Sequence, residues 1–138
     1  MIPLNQELGL LSNYHALLRL RFEDAILLDN RIHEAGARSC SIPPVSLQML
    51  LENAVKHNEF TSVQPLVFEL WREGDHLIAR NRKQLRRTST RHNCGMGLRN
   101  LDERCRLVLG RGVTIQDSDG SFEVRVPVRQ ADQSEVFA

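Results

Sequence analysis

The sequence has few cysteines, no long apolar run and no excess of charge of either sign. Its three cysteines are odd in number, far apart and not arranged as CxxC, which argues against a disulfide framework or a zinc knuckle and favours a reducing cytosol. No apolar run approaches the roughly 20 residues that cross a bilayer, and the N-terminus lacks the pattern of a signal peptide. The 18 basic and 17 acidic residues nearly cancel, so overall charge indicates neither an acidic tail nor a general nucleic-acid-binding protein. We expect a cytoplasmic chain.

Regularly spaced apolar residues divide the first part of the chain into helix and strand. At 138 residues the chain fits one domain with a single core. Leucines at three-, four- and seven-residue steps, with His15 filling a gap, predict an amphipathic helix over Leu4–Phe22. The aliphatic run Ala25–Ile32 predicts a strand that ends at the breakers around Gly36, and a proline pair at positions 43 and 44 marks a sharp boundary.

The second part of the chain alternates between helix and hairpin. After the prolines, apolar residues fill one side of a helix and polar residues the other. Two strand-like runs around REGD predict a hairpin within Pro65–Asn81, and a polar, basic loop covers Arg82–Asn93. A further helix opens with glycines and ends at Gly110, and the strands GVTIQ and SFEVRVPV close the domain. This order predicts an α/β fold, a two-layer sandwich of a mixed, mostly antiparallel sheet with helices on one face.

The strongest chemical signal is the segment IPPVSLQMLLENAVKHN, from Ile42 to Asn58. Asn53 lies three residues from Lys56 and four from His57, so the three side chains project from neighbouring positions of a helix. A carboxamide oxygen can complete an Mg²⁺ shell made of water and phosphate oxygens, and an ammonium group offsets phosphate charge. The set is suited to Mg-nucleotide binding, although its spacing alone favours the simpler interpretation of a solvated helix face.

A second signal is CGMGLRN, where a glycine pair leads directly into an amphipathic helix. Exposed amide groups at a helix N-terminus form an anion site, and glycines allow a phosphate to approach the backbone closely. A GxG sequence is common, so this signal is weak when it stands alone.

In this order the two segments resemble the GHKL (Bergerat-type) nucleotide-binding fold, and within it the sensor histidine kinases of the LytS-like group. Members of that group carry a proline pair, a helix similar to LQPLVENAIKHG, and a GxGLxN helix followed by an arginine-containing run. The corresponding segments here are IPPVSLQMLLENAVKH and GMGLRNLDERCRLVLG. The N-terminal stretch is also similar to the connector of that group, a leucine-rich helix that ends in an arginine–phenylalanine pair, here Arg21 and Phe22. The resemblance extends to about Val128.

The resemblance implies a role for each matching residue. Asn53 becomes the Mg²⁺ ligand, and Lys56 becomes a phosphate contact that takes part in catalysis. Glu52 would orient a metal-bound water, and Gly95 with Gly97 would form the glycine hinge of an ATP lid. The nucleotide-binding residues that the resemblance implies are Asn53, Lys56, His57, Asn58, Asn81, Gly95, Met96, Gly97 and Leu98.

Two positions depart from the pattern of the family. The aspartate of the DxGxG box, which reads the adenine amino group, has no counterpart in ARNRKQ, where Asn81 is the only candidate. GHKL hydrolases place a water-activating glutamate one helical turn before the metal asparagine, and that position is Met49 here. We expect poor ATP hydrolysis, which fits a kinase whose attacking group is a histidine on another domain.

The resemblance also implies how the chain is organised. Residues 1–24 would be the connector helix from a dimerisation and phosphoacceptor domain, residues 25–129 the ATP-binding catalytic domain, and residues 130–138 a polar tail. The implied cofactors are ATP and Mg²⁺. The implied partners are the helical phosphoacceptor domain of the same protein and a response regulator, with membrane attachment only through other parts of the parent. The acceptor motif of the family, similar to HFLFNSLN, is absent, and His15 and His33 are poor acceptor candidates.

Two other hypotheses stay open. The missing aspartate fits a degenerate GHKL module that acts as a non-catalytic docking or regulatory domain. The run from Arg80 to Arg91 has no acidic residue, which suits a solvated loop, an ATP lid or a nucleic-acid patch. Its six basic residues are Arg80, Arg82, Lys83, Arg86, Arg87 and Arg91. Because the run lacks the interleaved aromatic residues of single-strand binders, we expect no nucleic-acid partner.

Overall fold

The computed structural model describes residues 1–84 and 95–130, and side chains in the second range from residue 97 onward. The helices are α1 (Leu4–Phe22), α2 (Glu34–Arg38), α3 (Ser46–His57) and α4 (Gly95–Leu109). The strands are β1 (Ile2–Pro3), β2 (Ile26–Asn30), β3 (Cys40–Ile42), β4 (Leu66–Glu73), β5 (His76–Arg82), β6 (Thr114–Asp117), β7 (Ser121–Pro127) and β8 (Arg129–Gln130). Within these ranges, no helix combines the length and the apolar character needed to cross a membrane.

The main sheet has five strands in the order β2-β4-β5-β7-β6. β2 runs parallel to β4, with Ile26 beside Leu66, and the other neighbouring strands are antiparallel. The β4–β5 hairpin turns at Gly74, whose φ of +58° lies in the region that glycine tolerates best. The predicted mixed, mostly antiparallel sheet is therefore confirmed.

One face of this sheet is covered by the long helices. In β4, Leu66, Phe68 and Leu70 are buried and the intervening side chains are partly exposed, which is the pattern of a strand with one covered face. Buried residues of β7 continue that face, and leucines of α1, α3 and α4 pack against it in one hydrophobic core. The predicted two-layer α/β sandwich with helices on one face is confirmed.

Helix α1 belongs to this core. Leu4 and Leu11 are no more than 1% exposed, and the Nε2 atom of His15 lies 2.7 Å from the carbonyl oxygen of Ile26 at the start of β2. The predicted bounds of this helix match the observed ones. Its proposed connection to a further domain stays a prediction.

A second, three-stranded sheet in the order β1-β3-β8 was not predicted. Its strands have only 2 or 3 residues, too few for an alternating pattern to show. Gln130, assigned from sequence to the polar tail, pairs with Cys40 in this sheet. The interpretation of the Gly36 region as a breaker was also wrong, because α2 forms there and Arg72 donates a 2.8 Å hydrogen bond to the Gly36 carbonyl.

Two cysteines lie in the described ranges. Cys40 and Cys105 are buried and free, and burial raises the pKa of both thiols. Both are members of the hydrophobic core. Cys94 lies outside the described residues.

Candidate functional site

Helix α3 starts at a turn shaped by the proline pair and capped by α1. Val45 has a φ of +67°, in the left-handed region that β-branched residues rarely occupy. The Ser46 hydroxyl donates to the Pro43 carbonyl, and the Glu7 carboxylate accepts the Leu47 N–H at 3.2 Å. A carboxylate at a helix N-terminus satisfies a free amide and interacts favourably with the helix dipole. These contacts fix where α3 begins.

The outward side of α3 carries Asn53 and Lys56. The inward side is made by residues that are no more than 3% exposed, namely Leu47, Leu50, Leu51, Ala54 and His57. Asn53 is half-buried and Lys56 is exposed. Asn53 is four residues after Met49, and both therefore lie on the same side of the helix.

Glu52 projects from α3 towards α1. The Gln48 side chain donates to its carboxylate at 3.1 Å. Burial, and secondarily the nearby Glu52 carboxylate, raise the pKa of Tyr14 in α1. Adjacent residues of the predicted site thus point to different sides of the helix, and the water-orienting role of Glu52 stays a prediction.

The glycine-containing first turn of α4 lies beside Met49. A methyl group added at Gly97 would lie 4.0 Å from Cε of Met49. Arg104, two turns further along α4, donates to Sδ of Met49 at 3.6 Å and to the Pro44 carbonyl. Met49 of α3 and the start of α4 are therefore neighbours, and Asn53 follows Met49 by one helical turn. The joint action of Asn53 and the glycines on one ligand stays a prediction.

Asn81 is a buried polar side chain on the covered face of the main sheet. It pairs across the strands with Phe68 and Phe122, and it is 3% exposed. Its Nδ2 donates to the Arg82 carbonyl at 3.0 Å, and no described residue donates to its Oδ1. A buried carboxamide is unusual in an otherwise apolar row, and the nucleotide contact predicted for Asn81 stays a prediction.

His57 and Asn58, at the end of α3, are both buried. The Asn58 amide group donates to the Ala54 carbonyl at 2.8 Å, and its Oδ1 accepts the Gln84 N–H at 2.7 Å. Asn58 therefore binds the protein with both ends of its side chain. Direct nucleotide contact by either residue stays a prediction.

The remaining predicted residues divide between described and undescribed parts of the chain. Gly95 begins α4, and Leu98 is a core residue with 5% exposure, so a nucleotide contact of Leu98 would come from its backbone. Arg80 pairs with Glu69 at 3.0 Å, and Lys83 pairs with Asp117, so these two basic residues are already neutralised. The Met96 side chain and the predicted lid residues Arg86, Arg87 and Arg91 lie outside the described residues.

Two residues of structural importance for this region were not singled out from the sequence. Glu7 caps α3 from a position 40 residues earlier in the chain, and Arg104 fastens α4 to α3. A glutamate at an apolar-stripe position of α1 was the available signal for the first. Arg104 lies in the arginine-containing run that follows the GxGLxN motif, and no sequence pattern indicates which residues it contacts.

Half of this chain is similar in sequence to a sensor histidine kinase. A scan against models of protein families gave no match. The sensor protein kinase HptS of Staphylococcus aureus is 36% identical over 69 residues, with the same value in strains USA300 and N315. The match covers 50% of this chain but 13% of that kinase, so the chain corresponds to a small part of a much longer protein.

Solved histidine kinases share the fold. The blue-light activated histidine kinase EL346 of Erythrobacter litoralis superposes with a TM-score of 0.53 and 18% identity, covering 96% of this chain and 43% of that one. A histidine kinase from Burkholderia phymatum STM815 gives a TM-score of 0.50 and 12% identity, covering 90% and 68%. At such identities the likeness concerns the fold alone. The chain therefore has the α/β sandwich fold of histidine kinases and, over half of its length, sequence similarity to a sensor histidine kinase.

Proposed function

We propose that the chain is the ATP-binding catalytic domain of a bacterial two-component sensor histidine kinase of the LytS-like group. It binds Mg-ATP and passes the γ-phosphate to a histidine on a separate helical domain. The observation that carries this proposal is the placement of Met49, one helical turn before the half-buried Asn53, beside the glycine-containing start of α4. Similarity to a sensor kinase over 50% of the chain supports the same class.

The surface between α3 and α4 fits a metal-bound triphosphate. Asn53 offers one carboxamide oxygen, which suits Mg²⁺ whose remaining ligands are water and phosphate oxygens. Bound there, Mg²⁺ would offset the charge of the phosphates. Lys56, one turn further along the exposed side, adds a flexible ammonium group. At the start of α4, Gly97 leaves the backbone open to an anion, and Gly95 precedes it.

Asn81 is suited to replace the family aspartate in reading adenine. Its amide nitrogen donates to the Arg82 carbonyl, which leaves Oδ1 as the atom that would accept a hydrogen bond from adenine. The 6-amino group of adenine donates, and an acceptor held in a fixed orientation selects it. A neutral amide oxygen would thus do what a carboxylate does elsewhere, without adding a negative charge near the phosphates.

The residues around Asn53 favour transfer over hydrolysis. Met49 stands where GHKL hydrolases carry a water-activating glutamate, and it packs between Gly97 and Arg104. Without a carboxylate at that position, attack by water would be slow, which suits transfer to a histidine supplied by another domain. Catalysis would then be mostly positioning and charge stabilisation, with Lys56 able to contact phosphate. The water-orienting role that the resemblance gives Glu52 would require its carboxylate to turn away from the α1 side of α3.

The proposal extends to the parent protein. A phosphoacceptor domain of the same protein would supply the histidine, and a response regulator would accept the phosphate next. The chain would act in the cytoplasm, with membrane attachment only through other parts of the parent. The second candidate, a docking module without nucleotide, is favoured by the absence of an aspartate at Asn81.

Calorimetric titration separates the two candidates. With Mg²⁺ and a non-hydrolysable ATP analogue we expect measurable binding, weakened at least about tenfold by Asn53→Ala because a metal ligand is lost. Asn5→Ala, which removes an exposed carboxamide from α1, is the matched control and should bind like the unmodified chain. No binding, or binding indifferent to Asn53→Ala, contradicts the kinase proposal and supports docking.

A further inference from the structure

A buried asparagine joins the end of α3 to the end of β5. Asn58 is 0% exposed, and its Oδ1 accepts the backbone N–H of Gln84 at 2.7 Å. The backbone N–H of Glu59 donates in turn to the Gln84 carbonyl at 2.7 Å. Both backbone groups of Gln84 are thus held by the two residues that follow α3.

The other side of the same segment is tied to the β6–β7 hairpin. The Lys83 N–H donates to the Gly120 carbonyl at 3.1 Å, and its ammonium group pairs with Asp117. The Gln84 side chain stabilises this attachment less than its backbone does. Its Oε1 is buried without a partner among the described residues, and its Nε2 is 3.4 Å from the Gln64 carbonyl. The backbone of Gln84 is therefore the part that matters for the attachment to α3.

We infer that Asn58 is a positioning residue for purine recognition. It holds Asn81 of β5 in place relative to Asn53 of α3. Asn53 precedes Asn58 by five residues, and Asn81 precedes Gln84 by three, so one hydrogen-bonded clamp links the stretches that carry both groups. A hydrogen bond to Oδ1 of Asn81 weakens steeply with distance and angle. This inference rests on the proposed function.

The clamp predicts a selective defect. Loss of the hydrogen bond to Gln84 moves the end of β5 and weakens the hydrogen bond between Asn81 and the 6-amino group of adenine. The metal and phosphate contacts of Asn53 stay in place. Asn58 thus affects which purine is bound more than how tightly the phosphates are held. A residue that only stabilises the fold would not change the preference between two nucleotides that share the same phosphates.

The test compares Mg-ADP with Mg-IDP, which carries an oxygen in place of the 6-amino group. The unmodified chain is expected to prefer ADP by about three- to tenfold, the range of one hydrogen bond. Asn58→Ala should bring the ratio close to one. Asn58→Asp keeps the acceptor for the Gln84 N–H and should keep the preference, because its added charge acts equally on both ligands. Gln84→Ala leaves the backbone clamp intact and serves as the control.

Several outcomes would overturn the inference. A wild-type ADP preference that survives in Asn58→Ala contradicts it, and so does an equal loss in Gln84→Ala. Amide hydrogen exchange provides a second readout without nucleotide: the Gln84 N–H should exchange slowly, and fast exchange in the unmodified chain rules the clamp out. Absence of nucleotide binding to the unmodified chain instead refutes the proposed function, and the role of Asn58 with it.

Discussion

At the scale of single residues, the buried carboxylate of Glu7 in α1 holds the start of α3. Glu7 is 1% exposed, its Oε1 accepts the Leu47 N–H at 3.2 Å, and its Oε2 is buried without a partner among the described residues. Desolvating a charge is unfavourable, whereas satisfying a helix amide near the positive end of the dipole is favourable. A variant without any acceptor at position 7 loses the favourable hydrogen bond and leaves the Leu47 amide unpaired.

We therefore expect Glu7→Ala to lower the free energy of unfolding by about 1–3 kcal/mol. Glu7→Gln retains an acceptor oxygen and removes the buried charge, so its loss should be less than half as large. Urea unfolding followed by circular dichroism measures both. Equal losses in the two variants would show that the charge, and not the acceptor, is the important property.

Single residues of the site differ in how far the sequence predicts them. Helical spacing placed Asn53 and Lys56 correctly on the outward side of α3. The prediction that His57 shares that side was wrong, because His57 is 3% exposed and lies on the inward side. The separation of Glu52 from Asn53, and the use of Asn58 as a clamp, depend on partners in α1 and β5. Those partners are distant in sequence, and no local pattern records them.

At the scale of whole elements, α4 is fastened to α3 by Arg104. Its guanidinium contacts Met49 and the Pro44 carbonyl, both at or near the start of α3. We expect Arg104→Ala to lower the free energy of unfolding by about 1–2 kcal/mol, since the half-buried Met49 sulfur and the Pro44 carbonyl lose a charged donor. Arg106→Ala is the control on the same helix, because that side chain is 63% exposed in its pair with Asp102 and should cost less than about 0.5 kcal/mol. Thermal unfolding of both variants would measure the difference, and comparable losses would contradict this account.

Ionic contacts link β4 and β7 on the open face of the main sheet. The Trp71 indole donates to Glu73 at 3.0 Å, and Arg125 pairs with Glu73 at 2.7 Å. These contacts, the Trp71 hydrogen bond first, lower the pKa of Glu73 from its ordinary value of 4.5. A carboxylate whose pKa is lowered in the folded state stabilises the fold at any pH above its ordinary pKa. This stabilisation is lost as the pH falls through the pKa of the folded state.

We accordingly expect Glu73→Gln to lower the free energy of unfolding at pH 7. The difference from the unmodified chain should shrink as the pH falls below about 4.5. Unfolding free energies of the two proteins between pH 7 and pH 3 would show their curves converging in acid. Because Glu73 is exposed, added salt should shrink the difference at neutral pH. Curves that stay parallel down to pH 3 would contradict the assigned pKa shift.

Elements with many periodic residues were predictable, and short ones were not. The bounds of α1 and α4 and the two hairpins match the sequence prediction because each contains several turns of a helix or an alternating strand pair. The strands β1, β3 and β8 contain too few residues for periodicity, and α2 forms where a glycine suggested a break. Tertiary contacts such as Arg72 with Gly36 decide these elements.

At the scale of the whole molecule, the predicted order of elements folds into one sandwich. The order lays α3 and α4 over the face of the sheet that carries Asn81, with Met49 of α3 beside Gly97 of α4. The fold could be predicted because the element order and a family resemblance agreed. The assignment of ligand-binding roles could not be completed from sequence, since it depends on hydrogen bonds such as that of Asn81 with the Arg82 carbonyl.

The most direct test of Asn53 as a metal ligand is a thermodynamic cycle. Affinities for a non-hydrolysable ATP analogue would be measured by calorimetry for the unmodified chain and Asn53→Ala, each with Mg²⁺ and with EDTA. We expect Asn53→Ala to weaken binding at least about tenfold with Mg²⁺ and to change it little in EDTA, because the variant lacks only the metal contact. An equal effect of Asn53→Ala in both conditions, or nucleotide binding that does not respond to Mg²⁺, would contradict it.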